Sequence, residues 1–307
     1  MWIILLIVLL NFTIIHLAPG DPVYLLAGQS GDEKYFDFIR EKFGLNRPLI
    51  VQFGTYLWNV ARGDLGVSLA YQQPVINLIF SRIPATLLLM IPALLLSIVC
   101  GVALGVEAAC RENRFIDRAI TAFAAITDAV PSFCIGQAAL IIFALQLNLF
   151  PAQGMFSVNQ ELKGISLGTD ILAHLTLPIF TLALAQIALF VRLTRTQMAQ
   201  VLREDFITAA RARGISETRI TYRHALRNAL LPVITVTGNE FGMILSGAVL
   251  VETVFAWPGL GRLMIDAIAL RDYPVLLGLS LIVSVSVVAV NLVTDLVYSM
   301  LDPRISE

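Results

Sequence analysis

Ionisable side chains inside long apolar stretches are the residues of this chain best suited to chemistry. Glu240 lies midway along such a stretch, and an ionisable group inside a membrane is costly enough that it should face the protein interior or a watery path. Glu240 is therefore interpreted either as a lining group of a translocation pathway or as a hydrogen-bond partner between helices, and its sequence context favours neither. Four residues are candidates for such a pathway: Asn239, Glu240, Glu252 and Asp128.

Motifs for catalysis are missing from the sequence. It contains no G-x-x-x-x-G-K-[ST] phosphate-binding loop, no H-E-x-x-H zinc motif and no G-x-S-x-G nucleophile elbow. The three cysteines, Cys100, Cys110 and Cys134, lie in or beside apolar runs without C-x-x-C spacing, which favours small buried side chains over a disulfide framework or a metal site. We therefore expect no catalytic residue, no metal site and no cofactor in this chain.

Composition indicates which elements carry the candidate residues. Of 307 residues, 57% are apolar and 14% are charged, whereas a soluble domain has about 45–50% apolar and about 25% charged residues. A spanning helix needs roughly 20 apolar residues, and six stretches come near or exceed that length, which predicts an all-α polytopic membrane protein with six transmembrane helices. The predicted helices lie at 1–18, 83–107, 119–148, 172–194, 229–251 and 274–299. Separately, the net charge of −1 argues against a nucleic-acid binder.

The distribution of arginine predicts how these helices are oriented. The segment 192–227 carries eight arginines and the loop 108–118 adds three, so the positive-inside rule predicts that both lie in the cytoplasm. Helix count then predicts that both termini, including the tail 300–307, are cytoplasmic as well. The other connections are predicted to be external: a loop domain at 19–82, which includes amphipathic helices near 32–43 and 47–62, and loops at 149–171 and 252–273.

Glycine pairs predict close helix packing in two of the spans. Gly101 and Gly105 form a GxxxG pattern in the second helix, and Gly238 and Gly242 form another in the fifth. Small residues let helices approach closely in lipid, where no hydrophobic effect drives them together.

The cytoplasmic segment 195–228 is predicted to form two short helices joined by a turn. Apolar residues follow helical spacing up to Ala210, and Gly214 is expected to end the first helix in a left-handed conformation. Ser216 is a candidate N-cap for the second helix. Two interpretations stay open: a basic amphipathic segment bound to anionic lipid, or a docking helix for a soluble partner.

Part of this segment resembles a known family motif. The sequence TAARARG at 208–214 is similar to the EAA loop in permeases of binding-protein-dependent ABC importers, since Ala209, Ala210 and Gly214 match and Thr208 stands where glutamate is usual. The resemblance extends over nearly the whole chain and looks like the first permease of the dipeptide, oligopeptide, glutathione and nickel systems. Other matching stretches are LAPGDP at 17–22, GDLGVS at 63–68, RIPATLLL at 82–89, RHALRNALLPV at 223–233, FAWPGLGR at 255–262, DYPV at 272–275 and LDPRI at 301–305.

The resemblance implies a type I importer permease in the bacterial inner membrane. It implies a second homologous permease, a periplasmic substrate-binding protein and two cytoplasmic ATPases, which would bind the ATP and Mg that this chain does not. The implied solutes are di- or oligopeptides, with glutathione or a nickel chelate as alternatives. A stand-alone secondary transporter or channel, with Glu240 or Asp295 as an ion site, is the alternative outside the family.

The resemblance also implies roles for particular residues. The 204–226 region would couple the permease to the ATPases, and the segment 252–273, which is otherwise an ordinary interfacial loop with a Trp anchor, would form an outer gate or a contact with the binding protein. The implied coupling residues are Glu204, Asp205, Ala209, Ala210, Arg211, Arg213 and Gly214. The implied gate or contact residues are Trp257, Gly259, Arg262 and Asp272.

Overall fold

The computed structural model describes residues 2–17, 23, 32–42, 46–157, 163–243 and 249–301. It is 80% helical, which fits an apolar chain whose backbone must satisfy its own hydrogen bonds in lipid. The first helices are α1 Trp2–Leu17, α2 Glu33–Lys42, α3 Leu49–Ala61, α4 Val75–Cys110, α5 Phe115–Ala129 and α6 Ser132–Ala139, which continues as a π-helix at Leu140–Gln146. The later helices are α7 Ile165–Val201, α8 Asp205–Ala212, α9 Glu217–Arg219, a π-helix at Ile220–Ala225, α10 Leu226–Met243, α11 Val249–Val254, α12 Leu260–Ala269 and α13 Tyr273–Leu301.

Three described helices are long and apolar enough to cross a membrane: α4, α7 and the part of α13 at Tyr273–Val293. The predicted span at 119–148 is broken within its length. Its two arms, Phe115–Ala129 and Ser132–Gln146, meet at an angle of 97°, and counted together as one bent span they raise the number of described spans to four. The break falls at Val130 and Pro131, because proline lacks the N–H that a helix interior needs and forces the residue before it into an extended conformation.

Other spans differ from their predicted bounds. Helix α7 exceeds the predicted 172–194 at both ends, since Gly164 with φ of 62° precedes its first turn and no residue breaks it before Leu202. The predicted span 229–251 starts earlier, at Leu226, and its residues 244–248 lie outside the described ranges. The predicted loop 252–273 instead contains helix α12.

The chain divides into two compact units. The first unit comprises residues 1–86, 245–249 and 258–289. Its apolar core joins the start of α4 to α12 and the start of α13, with Val75, Leu263 and Leu279 among its buried members. Gly278 makes this packing close, because a Cβ there would lie 2.6 Å from Cγ1 of Val75.

The second unit comprises residues 87–244, 250–257 and 290–307. Here the predicted GxxxG packing of α4 is confirmed. A Cβ on Gly101 would lie 2.5 Å from Cβ of Phe190, and one on Gly105 would lie 2.6 Å from Cβ of Thr194. The two glycines therefore let α4 pack closely against α7, the helix that leads into the arginine-rich segment.

Candidate functional site

Helix α8 has one face buried in its own chain and one face exposed. Ile207 is fully buried and Ala210 is 7% exposed, and both belong to an apolar cluster with Met198 and Ile220. The exposed residues of α8 are Asp205, Phe206, Thr208, Ala209, Arg211 and Ala212, of which Phe206 is the one large apolar side chain, 44% exposed. Ala209 is therefore accessible to a partner, whereas Ala210, its neighbour in the predicted pair of contact residues, anchors α8 to the rest of the chain.

Gly214 ends α8 in the predicted left-handed conformation, with φ of +74°. The Gly214 N–H donates to the Arg211 carbonyl at 2.9 Å, and the Ile215 N–H donates to the Ala210 carbonyl at 3.3 Å. These two bonds make a Schellman motif, and Ile215 packs against the same apolar cluster as Ala210. A Cβ at Gly214 would meet nothing within 4 Å, so glycine is needed there for its backbone conformation and not for space.

Charged residues of the segment divide into paired and exposed groups. Arg211 donates two hydrogen bonds to the Glu217 carboxylate, from Nε to Oε1 at 2.9 Å and from an amino group to Oε2 at 3.3 Å. This hydrogen bonding raises the pKa of Arg211 above its ordinary value. This ion pair connects α8 to α9 across the turn at Gly214. Glu204 at the N-cap of α8 and Arg213 at its C-cap are exposed.

Two ion pairs hold the helix that leads into α8. Asp117, which is 3% exposed, accepts bonds from Nε of Arg195 at 2.5 Å and from an amino group of Arg195 at 2.8 Å. Arg203, directly after α7, binds both carboxylate oxygens of Glu112 at 2.7 and 2.9 Å. Sequence reasoning missed both pairs, although the two predicted cytoplasmic loops carry the opposite charges that make them.

The candidate pathway residues occupy three helices. Asp128, near the end of α5, is bound by Arg192 at 2.6 Å, and each side chain is about half exposed. Glu240 is partly exposed in α10, one residue after Asn239 in the same helix. Glu252 in α11 is fully buried, and its backbone carbonyl accepts the Trp257 N–H at 2.8 Å.

Three of the four predicted gate or contact residues are buried. Trp257 and Asp272 are both 0% exposed, so neither forms a contact surface in this structure. Gly259 is buried at the N-cap of α12. Arg262 is the accessible member, with a side chain 39% exposed and 3.9 Å from Asp266.

Asp272 fixes a turn to the start of α13. Its carboxylate accepts the Ser68 hydroxyl at 2.5 Å and the Ala70 N–H at 3.1 Å, and it also accepts the Val275 N–H at 3.4 Å from the N-cap position of the helix. The Ser68 hydroxyl in turn accepts the Tyr71 N–H at 2.9 Å. The buried charge is thus satisfied by hydrogen bonds, and an Asp directly before an apolar helical run was the sequence signal for this N-cap.

Comparison with known proteins decides the family. Residues 101–307 match the family model described as the inner membrane component of binding-protein-dependent transport systems, and residues 1–90 match its N-terminal membrane component. This chain belongs to the binding-protein-dependent transport system inner membrane component family. It is a multi-pass membrane transport subunit.

Several curated relatives of this inner membrane component cover nearly its whole length. It is 42% identical over 294 residues to a probable peptide ABC transporter permease protein of Sinorhizobium fredii, covering 96% of this chain and 92% of the relative. It is 38% identical over 302 residues to the glutathione transport system permease protein GsiC of Salmonella choleraesuis, covering 98% and 94%. GsiC of Salmonella typhimurium shows the same identity and coverage.

Within the described ranges, no group of three His, Cys, Asp or Glu side chains could hold a metal ion. Members of the family work in importers that also contain ATPases and a binding protein. In the arginine-rich segment, helix α8 combines one face anchored in the apolar cluster with an exposed face that includes Phe206 and Ala209.

Proposed function

We propose that this chain is one of two homologous permease subunits in an ATP-driven importer of di- or oligopeptides. The observation that carries the solute class is the 42% identity, over 96% of the chain, to a relative named as a probable peptide permease. Glutathione, itself a small peptide, is the alternative, because relatives named for glutathione transport are 38% identical over 98% of the chain. A nickel chelate is a further alternative that only the family resemblance supports.

The proposed complex contains two cytoplasmic ATPases, which bind ATP and Mg, and a periplasmic binding protein that delivers the solute. In it both termini and α8 lie on the cytoplasmic side, where positive charge favours the segment that holds eight arginines. The accessible Arg262 is the proposed contact with the binding protein, while Gly259 and the buried Trp257 and Asp272 hold the outer segment in shape.

Coupling is proposed to run through α8. Its exposed face would enter a groove on an ATPase, with Phe206 as an apolar contact next to the small Ala209. Asp205 and Arg213 at its two ends would set the register. Its inner face moves with the rest of the chain, because Ile207 and Ala210 are buried in one cluster with Met198 of α7. Helix α7 is continuous from Ile165 to Val201, so a displacement of α8 would pass along it into the membrane.

The pathway is proposed to include Glu240, Asn239 and the Arg192–Asp128 pair. Charged groups that are half exposed on helices of a membrane protein are favourable only where water or protein faces them. Glu252 is fully buried, and we propose that it does not meet the solute.

Uptake in reconstituted vesicles tests the solute class. The chain is purified with the subunits that accompany it, and uptake of a labelled dipeptide is measured with and without internal ATP and with glutathione as competitor. We expect ATP-dependent uptake of the dipeptide. Uptake of glutathione alone would select the alternative, and transport by the purified chain without ATPases would refute the importer.

A pair of charge insertions tests the coupling face. Ala209→Arg places a long cation in the centre of the exposed face of α8, whereas Gln73→Arg adds the same side chain at an exposed position outside the 204–226 region. We expect Ala209→Arg to lose the co-purifying ATPases while Gln73→Arg retains them. Equal retention by both variants would show that this face does not bind the ATPases.

A further inference from the structure

Helix α3, in the proposed external loop domain, packs against α1 with one face only. The Phe12 ring of α1 lies 5.2 Å from the Phe53 ring and 6.0 Å from the Tyr56 ring, between centroids. Gln52 on the same side is 8% exposed, and its amide donates to the Arg47 carbonyl at 2.7 Å. This face of α3 is therefore already occupied by its own chain.

The other face of α3 is an exposed apolar stripe. Ile50 is 79% exposed, Leu57 is 37% exposed and Trp58 is 58% exposed. Gly54 and Ala61 are exposed as well, and together these five positions follow the spacing of one helix face. A contiguous apolar stripe of this kind marks a surface that another apolar phase covers.

The contact with α1 fixes the depth of this stripe. Helix α1 has no Lys, Arg, Asp or Glu and exposes the large aliphatic side chains of Leu6, Leu10 and Ile14, which in a membrane protein belong in lipid. Phe12 lies five residues before Leu17, the last residue of α1, or about 7.5 Å below that end. Because Phe53 and Tyr56 touch Phe12, α3 lies at the level of the bilayer and not above it.

The charges around α3 favour phospholipid as the occupant. Between Arg47 and Arg62 the chain has no acidic residue, and both arginines are exposed at the two ends of the helix. The Arg62 guanidinium lies 4.3 Å from the centre of the Trp58 ring. Tryptophan prefers the membrane–water interface, and a neighbouring arginine can reach the lipid phosphates while its stem stays in apolar surroundings.

We infer that α3 is a membrane-surface anchor. It lies in the plane of the bilayer, with Ile50, Leu57 and Trp58 in the acyl region and Arg47 and Arg62 at the phosphates. In the orientation proposed above this is the outer leaflet. The anchor is independent of the solute, so it holds whether the importer carries a peptide or glutathione.

Nitroxide accessibility tests the anchor. Cys100, Cys110 and Cys134 are replaced, and single cysteines at 50, 57 and 58 are spin-labelled in the full chain, purified with its accompanying subunits and reconstituted in nanodiscs. Collisions with oxygen, which concentrates in lipid, are compared with collisions with a water-soluble nickel complex. We expect oxygen collisions to dominate at all three positions. These sites are exposed, so labelling leaves the core packing intact.

Three control positions calibrate the measurement. A label at Leu10, 53% exposed on α1, reports lipid. A label at Gln52, on the packed face of α3, should be shielded from both reagents. A label at Gln73, exposed just before the start of α4, should meet the nickel complex. Dominant nickel collisions on the stripe would show that it faces water or the binding protein. Shielding from both reagents would show that another subunit covers it. Either result overturns the anchor and leaves the proposed transport function untouched.

Discussion

Replacing Gly214 tests whether the backbone at the end of α8 controls coupling. Its φ of +74° lies in the left-handed region, where a side chain costs about 1–2 kcal/mol and a β-branched one more. A Cβ there would meet nothing within 4 Å, so no steric clash adds to that cost. Gly214→Val should therefore reduce the population of the closed Schellman turn by about 5- to 30-fold relative to an open one.

Opening this turn should release Ile215 from the apolar cluster and separate the motion of α8 from the rest of the chain. The assay is solute transported per ATP hydrolysed by the purified complex in vesicles, measured beside the content of the chain in the membrane. We expect Gly214→Val to keep its membrane content and ATPase activity while its transport per ATP falls. Gly214→Asn is the matched control, since asparagine tolerates the left-handed region better than other non-glycine residues.

Gly214→Asp separates the effect of charge from the effect of backbone conformation. Gly214→Asp combines a tolerated backbone conformation with a new negative charge, so it should resemble Gly214→Asn if conformation alone matters. Normal transport per ATP by Gly214→Val would refute a conformational role. An equal loss in Gly214→Asn and Gly214→Val would mean that a partner subunit fills the open space next to the Cβ, and the argument from φ would then fail.

Three further substitutions test packing and buried charge. Gly105→Leu should lower the free energy of unfolding in detergent by about 1–3 kcal/mol, because its side chain would collide with Thr194. The control Gly168→Leu should have little effect, since a Cβ there meets nothing within 4 Å. Equal effects of the two substitutions would refute the close packing. Asp117→Asn should cost about 3 kcal/mol by leaving Arg195 without its carboxylate, and wild-type thermal unfolding would show that the pair is dispensable. Asp272→Asn should lower the free energy of unfolding by about 2 kcal/mol through its weaker hydrogen bonds, and it should raise the rate of proteolysis in the turn at 68–71. An unchanged cleavage rate would contradict the role of Asp272 in holding this turn against the start of α13.

The sequence by itself determined the class of this protein. Apolar length predicted membrane helices, because a backbone in lipid has few other ways to satisfy its hydrogen bonds. Gly214 predicted a helix end, since the left-handed conformation is local and strongly favours glycine. The pair Gly101 and Gly105 predicted close packing for a similarly local reason, as only their missing side chains admit α7.

Only the tertiary structure decided which residues of each element are buried and which are exposed. Ala209 and Ala210 are identical in type and adjacent in sequence, but the helical rotation between them buries one and exposes the other. The family resemblance implied a gate or contact role for Trp257 and Asp272, but both are fully buried. Asp272 finds its hydrogen-bond donors at Ser68 and Ala70, about 200 positions earlier in the chain. Such pairings depend on which segments the fold brings together, and no local pattern of residue types specifies them.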